Sequence, residues 1–248
     1  MKATLTLGQK SASADLDPRL VGTLCRILRR KTLQETDVVG FLQQVSHFDR
    51  NKQDIINRHP GQVVVVGGER VAFAGTSDEA FGWASVNPQS GPVYIAATIT
   101  SENAHATLLD VIDLIAFSSP CSDSDSHLRL QVGWEVPAGG SSQELDFLID
   151  TGAARSCIDL DNASGMNLVA IVGVHGISAI PRQVLLLSGG QMVFPVEDSS
   201  TRATQTIKHS GAVLLASQRL IGHDVLSTQS LRLNMDFAAS PPSVRLVR

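Results

Sequence analysis

The sequence predicts an α+β protein built in two parts. A helical and β-β-α-β module over residues 1–117 precedes a linker at 118–126 and an all-β domain at 127–248. Three observations carry this. Apolar residues recur at helical spacing up to residue 56 and then switch to period two. Residues 118–126 read Ser-Ser-Pro-Cys-Ser-Asp-Ser-Asp-Ser, the most polar and turn-rich stretch of the chain. Beyond it, short β segments alternate with glycine-bearing turns, the pattern of a small closed or sandwich-like β domain.

The elements follow in order. Asp17 and Pro18 have the character of an N-cap and a first-turn proline, and Leu20, Val21, Leu24, Ile27 and Leu28 then repeat at helical spacing. A second helix starts near Thr36-Asp37, with Val38, Phe41, Leu42, Val45 and Phe48 on one face. It either continues through Ile55 and Ile56 or breaks near Asp49, and His59-Pro60-Gly61 ends it. Residues Gln62 to Val66, Gly67-Gly68 and Arg70 to Ala74 read as a tight hairpin. Asp78 to Ser85 is a short helix, Pro92 to Ile99 a strand and Thr107 to Phe117 a last helix.

In the second part, His127 to Val136 alternates with Leu128, Leu130, Val132, Trp134 and Val136 on one face. Glu144 to Ile149 is its partner across a turn. Later strands are Leu168 to Val172, Gln183 to Leu187, Gln191 to Val196, Gly211 to Leu215, Leu231 to Phe237 and Val244 to Val247, and Glu197 to Ser210 reads as a polar insertion.

Composition excludes several classes. Apolar residues make up 43% and charged residues 18%, so the chain is not wholly disordered. A formal charge of −4, with eight Phe, two Trp and one Tyr, is a poor basis for gripping phosphates or stacking bases, and no nucleic-acid partner is expected. Three cysteines give no disulfide framework, and neither they nor the seven histidines stand at metal-ligand spacing; no metal and no cofactor is expected. No apolar stretch reaches the ~18 residues of a membrane span, and the N-terminus lacks a secretory h-region, so the expectation is a cytoplasmic chain away from membranes. Arg26, Arg29, Arg30 and Lys31 form a basic cluster, either a solvated helix face or a contact for an acidic partner.

The chemistry concentrates at Phe147-Leu148-Ile149-Asp150-Thr151-Gly152-Ala153-Ala154-Arg155-Ser156. An apolar strand runs into a carboxylate, a hydroxyl and a glycine. A carboxylate there must be hydrogen-bonded or face an opening, the glycine permits a sharp turn, and the hydroxyl braces the loop. Taken alone, the same residues also make an ordinary turn capped by Asp150.

This segment resembles the active-site loop of retroviral-type aspartic proteases, the retropepsins, which read apolar-apolar-D-T-G-A-x-x-S. Two further blocks match in order. Gly173-Val174-His175-Gly176-Ile177 lies where those proteins carry a glycine-rich flap tip, with Ile180 to Leu187 as the returning strand; by itself this block is also an ordinary hairpin turn. Leu220-Ile221-Gly222-His223-Asp224-Val225-Leu226 resembles their late apolar-G-x-D-x-L block, a short helix beneath the active-site loop. Leu231 to Phe237 continues it as a closing strand. The chain departs from the family at Ala154 and His223, where viral members often carry an acidic and a basic residue that pair.

The resemblance implies catalysis by Asp150, Thr151 and Gly152. Substrate is then held by Ala153, Ala154, Gly173, Val174, His175, Gly176 and Ile177. Two carboxylates must share a proton, and only one D-T-G occurs. The implied enzyme is therefore a homodimer acting on a polypeptide, with one Asp150 from each copy. Val244 to Arg248 is the expected dimer-forming edge. The rival reading keeps this fold as an inactive dimerisation or peptide-binding protein; a third makes the N-terminal part a targeting adaptor. Residues His59 to Val71, Asp78 to Ser85 and Pro92 to Ile95 resemble a small uncharacterised prokaryotic β-β-α-β module, which implies no activity.

Overall fold

The computed structural model describes residues 1–33, 37–87, 91–98, 129–149, 153, 155–175, 181–236 and 243–248. They group into two compact units. One lies within Met1–Ile115 with Asn167–Leu187, the other within Ala116–Met166 with Ser188–Arg248. The expected helix at Thr107 to Phe117 and the linker at 118–126 lie outside the described residues.

The first unit opens with a hairpin the sequence reading missed. Strands β1 (Lys2–Leu7) and β2 (Lys10–Asp15) pair antiparallel around Gly8, whose φ is +60°. The hairpin pairs Thr4 with Ser13 and Thr6 with Ser11 through their hydroxyls on one face, and Ala12 and Ala14 are buried on the other. Small and hydroxyl residues give a weak apolar signal, which is why the alternation escaped notice. Helix α1 (Pro18–Arg30) begins as expected: the Asp17 carboxylate accepts from the Arg19 N–H, and Leu20, Leu24 and Ile27 are buried. Helix α2 (Val38–Arg58) starts at Asp37, whose carboxylate accepts from Gly40 N–H at 3.0 Å. It runs unbroken past Asp49 and ends at His59.

Strands β3 (Val63–Gly67) and β4 (Arg70–Gly75) form the expected hairpin, with the turn shifted by one residue. Gly68 and Glu69 both have positive φ, +57° and +55°, as a two-residue turn matched to strand twist requires. The Glu69 N–H donates to the buried Gln44 side chain of α2, which helps hold a non-glycine residue in that conformation. Helix α3 (Ser77–Val86) carries a reciprocal cap between Thr76 and Glu79. Strand β5 (Val93–Ala97) follows.

The segment 167–187, expected in the C-terminal domain, falls in this unit. Strand β9 (Asn167–His175) pairs parallel with β5, Tyr94 opposite Ile171 and Ala96 opposite Gly173, and neighbours β10 (Pro181–Ser188). The sheet order is β4-β3-β5-β9-β10. Register shows why. Val65 pairs with Phe73 and Ile95, and Phe73 stacks on Trp83 of α3; Val66 pairs with Tyr94, which meets Phe48 of α2 edge-on at 5.4 Å. The two helices thus cover opposite faces, and the inner strands read as unbroken apolar runs instead of alternating. The run Leu168 to Val172 needs cover on both faces, and this sheet supplies it: Ala170, Ile171 and Val172 are buried.

In the second unit, β6 (Arg129–Glu135) and β7 (Ser142–Ile149) form the expected hairpin. Val132 and Trp134 are buried, and the Trp134 indole N–H donates to the Asn162 carbonyl. The alternation fails at Gly133 and Glu135, which are buried too: Gly133 lies against Ser142 and Val193, and Glu135 pairs with Lys208. Strand β11 (Gln191–Glu197) joins β6. The expected polar insertion is a strand, β12 (Thr204–His209), paired with β11 from Met192–His209 to Glu197–Thr204. The Asp198 carboxylate makes the connecting turn by accepting from Ser200 and Thr201, which holds its pKa down at about 2. Strands β15 (Arg232–Asp236) and β16 (Ser243–Val247) pair antiparallel, and β16 also joins β11 through Glu197 and Val247. The expected dimer edge is therefore an interior strand of this unit, with Leu246 buried. The short strands β8 (Cys157–Ile158), β13 (Val213–Leu215) and β14 (Leu220–Ile221) and helix α4 (His223–Thr228) complete it.

Candidate active site

Asp150, Thr151, Gly152 and Ala154 lie outside the described residues, as do Gly176 and Ile177; of Val174 and His175 the backbone is described, at the end of β9. What the structure does describe is the frame around residues 150–152, and that frame is specific.

Strand β7 approaches through Phe147, which is fully buried, and Leu148. At its end Leu148 and Ile149 pair parallel with Leu220 and Ile221 of β14, and Leu148 N–H donates to the Arg219 carbonyl at 3.1 Å. Cys157 of β8, downstream, pairs antiparallel with Leu220 from the other side. Strand β14 thus lies between the strand that enters the loop and the strand that leaves it. Leu148, Ala153 and Leu220 form one apolar cluster, with Cys157 packed against it.

The residues after β14 grip the outgoing arm. The His223 N–H donates to the Ala153 carbonyl at 2.7 Å. The Ser156 N–H and hydroxyl both donate to Asp224 Oδ1, at 3.0 and 2.7 Å, and the same Ser156 Oγ accepts from Gly222 N–H at 2.9 Å. Asp224 Oδ1 also accepts from Val225 N–H, so the carboxylate links the loop to the first turn of α4. Gly222 is glycine for a spatial reason. A Cβ there would stand 2.6 Å from the Arg155 carbonyl carbon and 2.9 Å from the Ala153 oxygen, closer than carbon allows. Before β14, the Arg219 guanidinium reaches Asp159 Oδ2 at 2.5 Å and the Asp146 carbonyl at 3.0 Å, tying the strand in from behind.

Of the residues expected to hold substrate, Ala153 is buried, with its carbonyl taken by His223. Gly173 sits within β9, paired with Ala96, and the Tyr94 hydroxyl occupies the space a side chain would need. Packing against Tyr94 accounts for that glycine. The Tyr94 pKa is pushed upward by burial. His223 has an exposed side chain, and its contribution to the frame is its N–H. The sequence reading quoted Ser156 and Asp224 within motifs but gave neither a role, and it passed over Arg219 and Asp159. A serine and an aspartate 68 residues apart carry no local signal of their pairing.

His209, at the end of β12, is desolvated, which lowers its pKa against the opposing pull of Asp224; its ring lies 3.4 Å from the Gln229 amide nitrogen. Among the described residues no group of three His, Cys, Asp or Glu is arranged to hold a metal, and no helix is long and apolar enough to cross a membrane.

No family model matches the chain, and no curated protein matches it. Among solved structures, the EIAV protease complexed with the inhibitor HBY-793 is similar to it at 15% identity and a TM-score of 0.27, over 46% of this chain and 99% of that one.

Proposed function

We propose that the chain is an aspartic endopeptidase of the retropepsin type, active as a homodimer in which each copy supplies Asp150. The observation that supports this best is the convergence of two motif blocks. Phe147 to Ser156 and Leu220 to Leu226, each matched to the family by sequence alone, hydrogen-bond to one another through Ser156–Asp224, Ala153–His223 and Leu148–Arg219. A chance D-T-G turn needs no such partner; a loop that must hold a carboxylate at a fixed place does.

In this reading two Asp150 carboxylates share one proton and hold one water. One takes a proton from the water as it attacks the scissile carbonyl, and the other donates to the carbonyl oxygen. Like charges so close separate their ionisations, so the rate follows a bell-shaped pH profile belonging to the pair. Both limbs lie at or below neutrality.

The test is cleavage of a peptide library by the full chain, with Asp150→Asn as control. The expected result is hydrolysis that a statine-type inhibitor blocks. Asp150→Asn abolishes it and leaves the circular dichroism and sedimentation unchanged, since the amide is nearly isosteric but no base. Substantial turnover by the variant removes Asp150 from the chemistry. Binding of peptides without cleavage by a folded dimer establishes the rival, non-enzymatic reading.

A further inference from the structure

Helix α1 carries Arg19, Arg26, Arg29 and Arg30, with Lys31 at its C-cap, and no acidic residue. Five of the chain's 20 Lys and Arg stand in these fourteen positions of a molecule whose net charge is −4. At 100° per residue, Arg19 and Arg26 fall within about 20° of each other on the helix surface, with Arg29 one turn beyond on the same side. All three are exposed, and none pairs with a carboxylate among the described residues; Arg26 donates to the Thr23 hydroxyl. The opposite face is anchored by buried Leu20, Leu24 and Ile27, and both ends are capped, by Asp17 and by Lys31 in the left-handed conformation.

This arrangement runs against the helix's own electrostatics. Arg19 stands in the first turn, at the positive end of the macrodipole, where a carboxylate is preferred. Arg26 has like charges at i+3 and i+4, in Arg29 and Arg30, an arrangement that weakens a helix. A ridge that opposes its own scaffold is expected where function supplies the missing countercharge.

We infer that the Arg19–Arg26–Arg29 ridge is a docking surface for an acidic segment of a polypeptide. The ridge is about 15 Å long, which an extended strand of about five residues spans, presenting alternate carboxylates to it. A nucleic-acid duplex fits less well. The ridge is one short helix face on an acidic chain poor in aromatic residues, without the broad basic surface that phosphate contacts require. The inference does not depend on the protease reading, although it would give such an enzyme clients that carry acidic tracts.

The experiment uses the full chain with Asp150→Asn, so that nothing is cut, and a fluorescein-labelled peptide of alternating Asp and Ser. Anisotropy is expected to show binding that weakens as salt rises and is about tenfold weaker in the Arg19→Gln/Arg26→Gln/Arg29→Gln variant, the sum of three exposed charge contacts. A Ser-only peptide is expected not to bind. The variant's melting temperature is expected to be equal or higher, because like-charge crowding is relieved, so a loss of binding is not a loss of fold. Absent binding, equal binding by the variant, or tighter ridge-dependent binding of a DNA oligonucleotide than of the peptide would each overturn the inference.

Discussion

Replacing Ser156 by alanine tests the frame of the candidate site most directly. The side chain is fully buried, and its single oxygen serves two partners: it donates to Asp224 Oδ1 at 2.7 Å and accepts from Gly222 N–H at 2.9 Å. Alanine removes both bonds and leaves the Gly222 N–H without a partner where water has no access. A hydrogen bond to a charged acceptor contributes about 1.5–3 kcal/mol, and a stranded buried donor costs about 1–3 kcal/mol. Asp224 keeps two backbone donors, from Ser156 and Val225, which moderates the first figure. The expected loss is about 3 kcal/mol. Asp224→Asn retains an oxygen in the Oδ1 position and is expected to cost only about 1 kcal/mol. Urea unfolding followed by Trp134 fluorescence reads the second unit, with Trp83→Phe removing the signal of the first; a chain of two units is first checked for separate transitions. If Ser156→Ala lies within about 1 kcal/mol of wild type, the hydrogen bonds do not hold the loop as argued.

The remaining expectations follow from other contacts. Gly173→Ala places a methyl group against the Tyr94 hydroxyl and is expected to destabilise the first unit by about 1–3 kcal/mol; Tyr94→Phe in the same chain should recover part of that, and simple additivity of the two changes would contradict the packing argument. His209 has a folded pKa below its ordinary 6.5 because of burial, so the unfolded chain binds the extra proton first. Its stabilising contribution is therefore complete above that value and is lost as pH falls below it. Thermal melts of the second unit between about pH 7 and 5.5 should show this decline in wild type and a flatter curve in His209→Gln; equal slopes would assign the decline elsewhere. The fragment 127–248 lacks β5, the partner of β9, and leaves Ala170, Ile171 and Val172 without cover. It is expected to bind a hydrophobic dye and to unfold without a sharp transition, and a cooperative melt of the fragment would show that β9 does not need the first unit's sheet.

Local chemistry was legible wherever the signal lay within a few residues. The caps at Asp17 and Asp37, the end of α2 at His59, the hairpin around Gly68 and the course of β6 and β7 all follow from spacing, capping and turn preference. So does the short helix after Gly222. The D-T-G segment was conspicuous because a carboxylate closing an apolar strand needs explaining. Partnership over long distances was not legible. Leu168 to Val172 is a strand in any reading, but its apolar run does not say which sheet covers both its faces, and β5 in the first unit does so. Val244 to Val247 reads as a strand with a free edge, yet β15 and β11 occupy its two sides. The same limit holds at the candidate site. Period and propensity act between neighbours in sequence, whereas the link from Ser156 to Asp224 exists because β14 inserts between β7 and β8, a choice made by the packing of the whole unit.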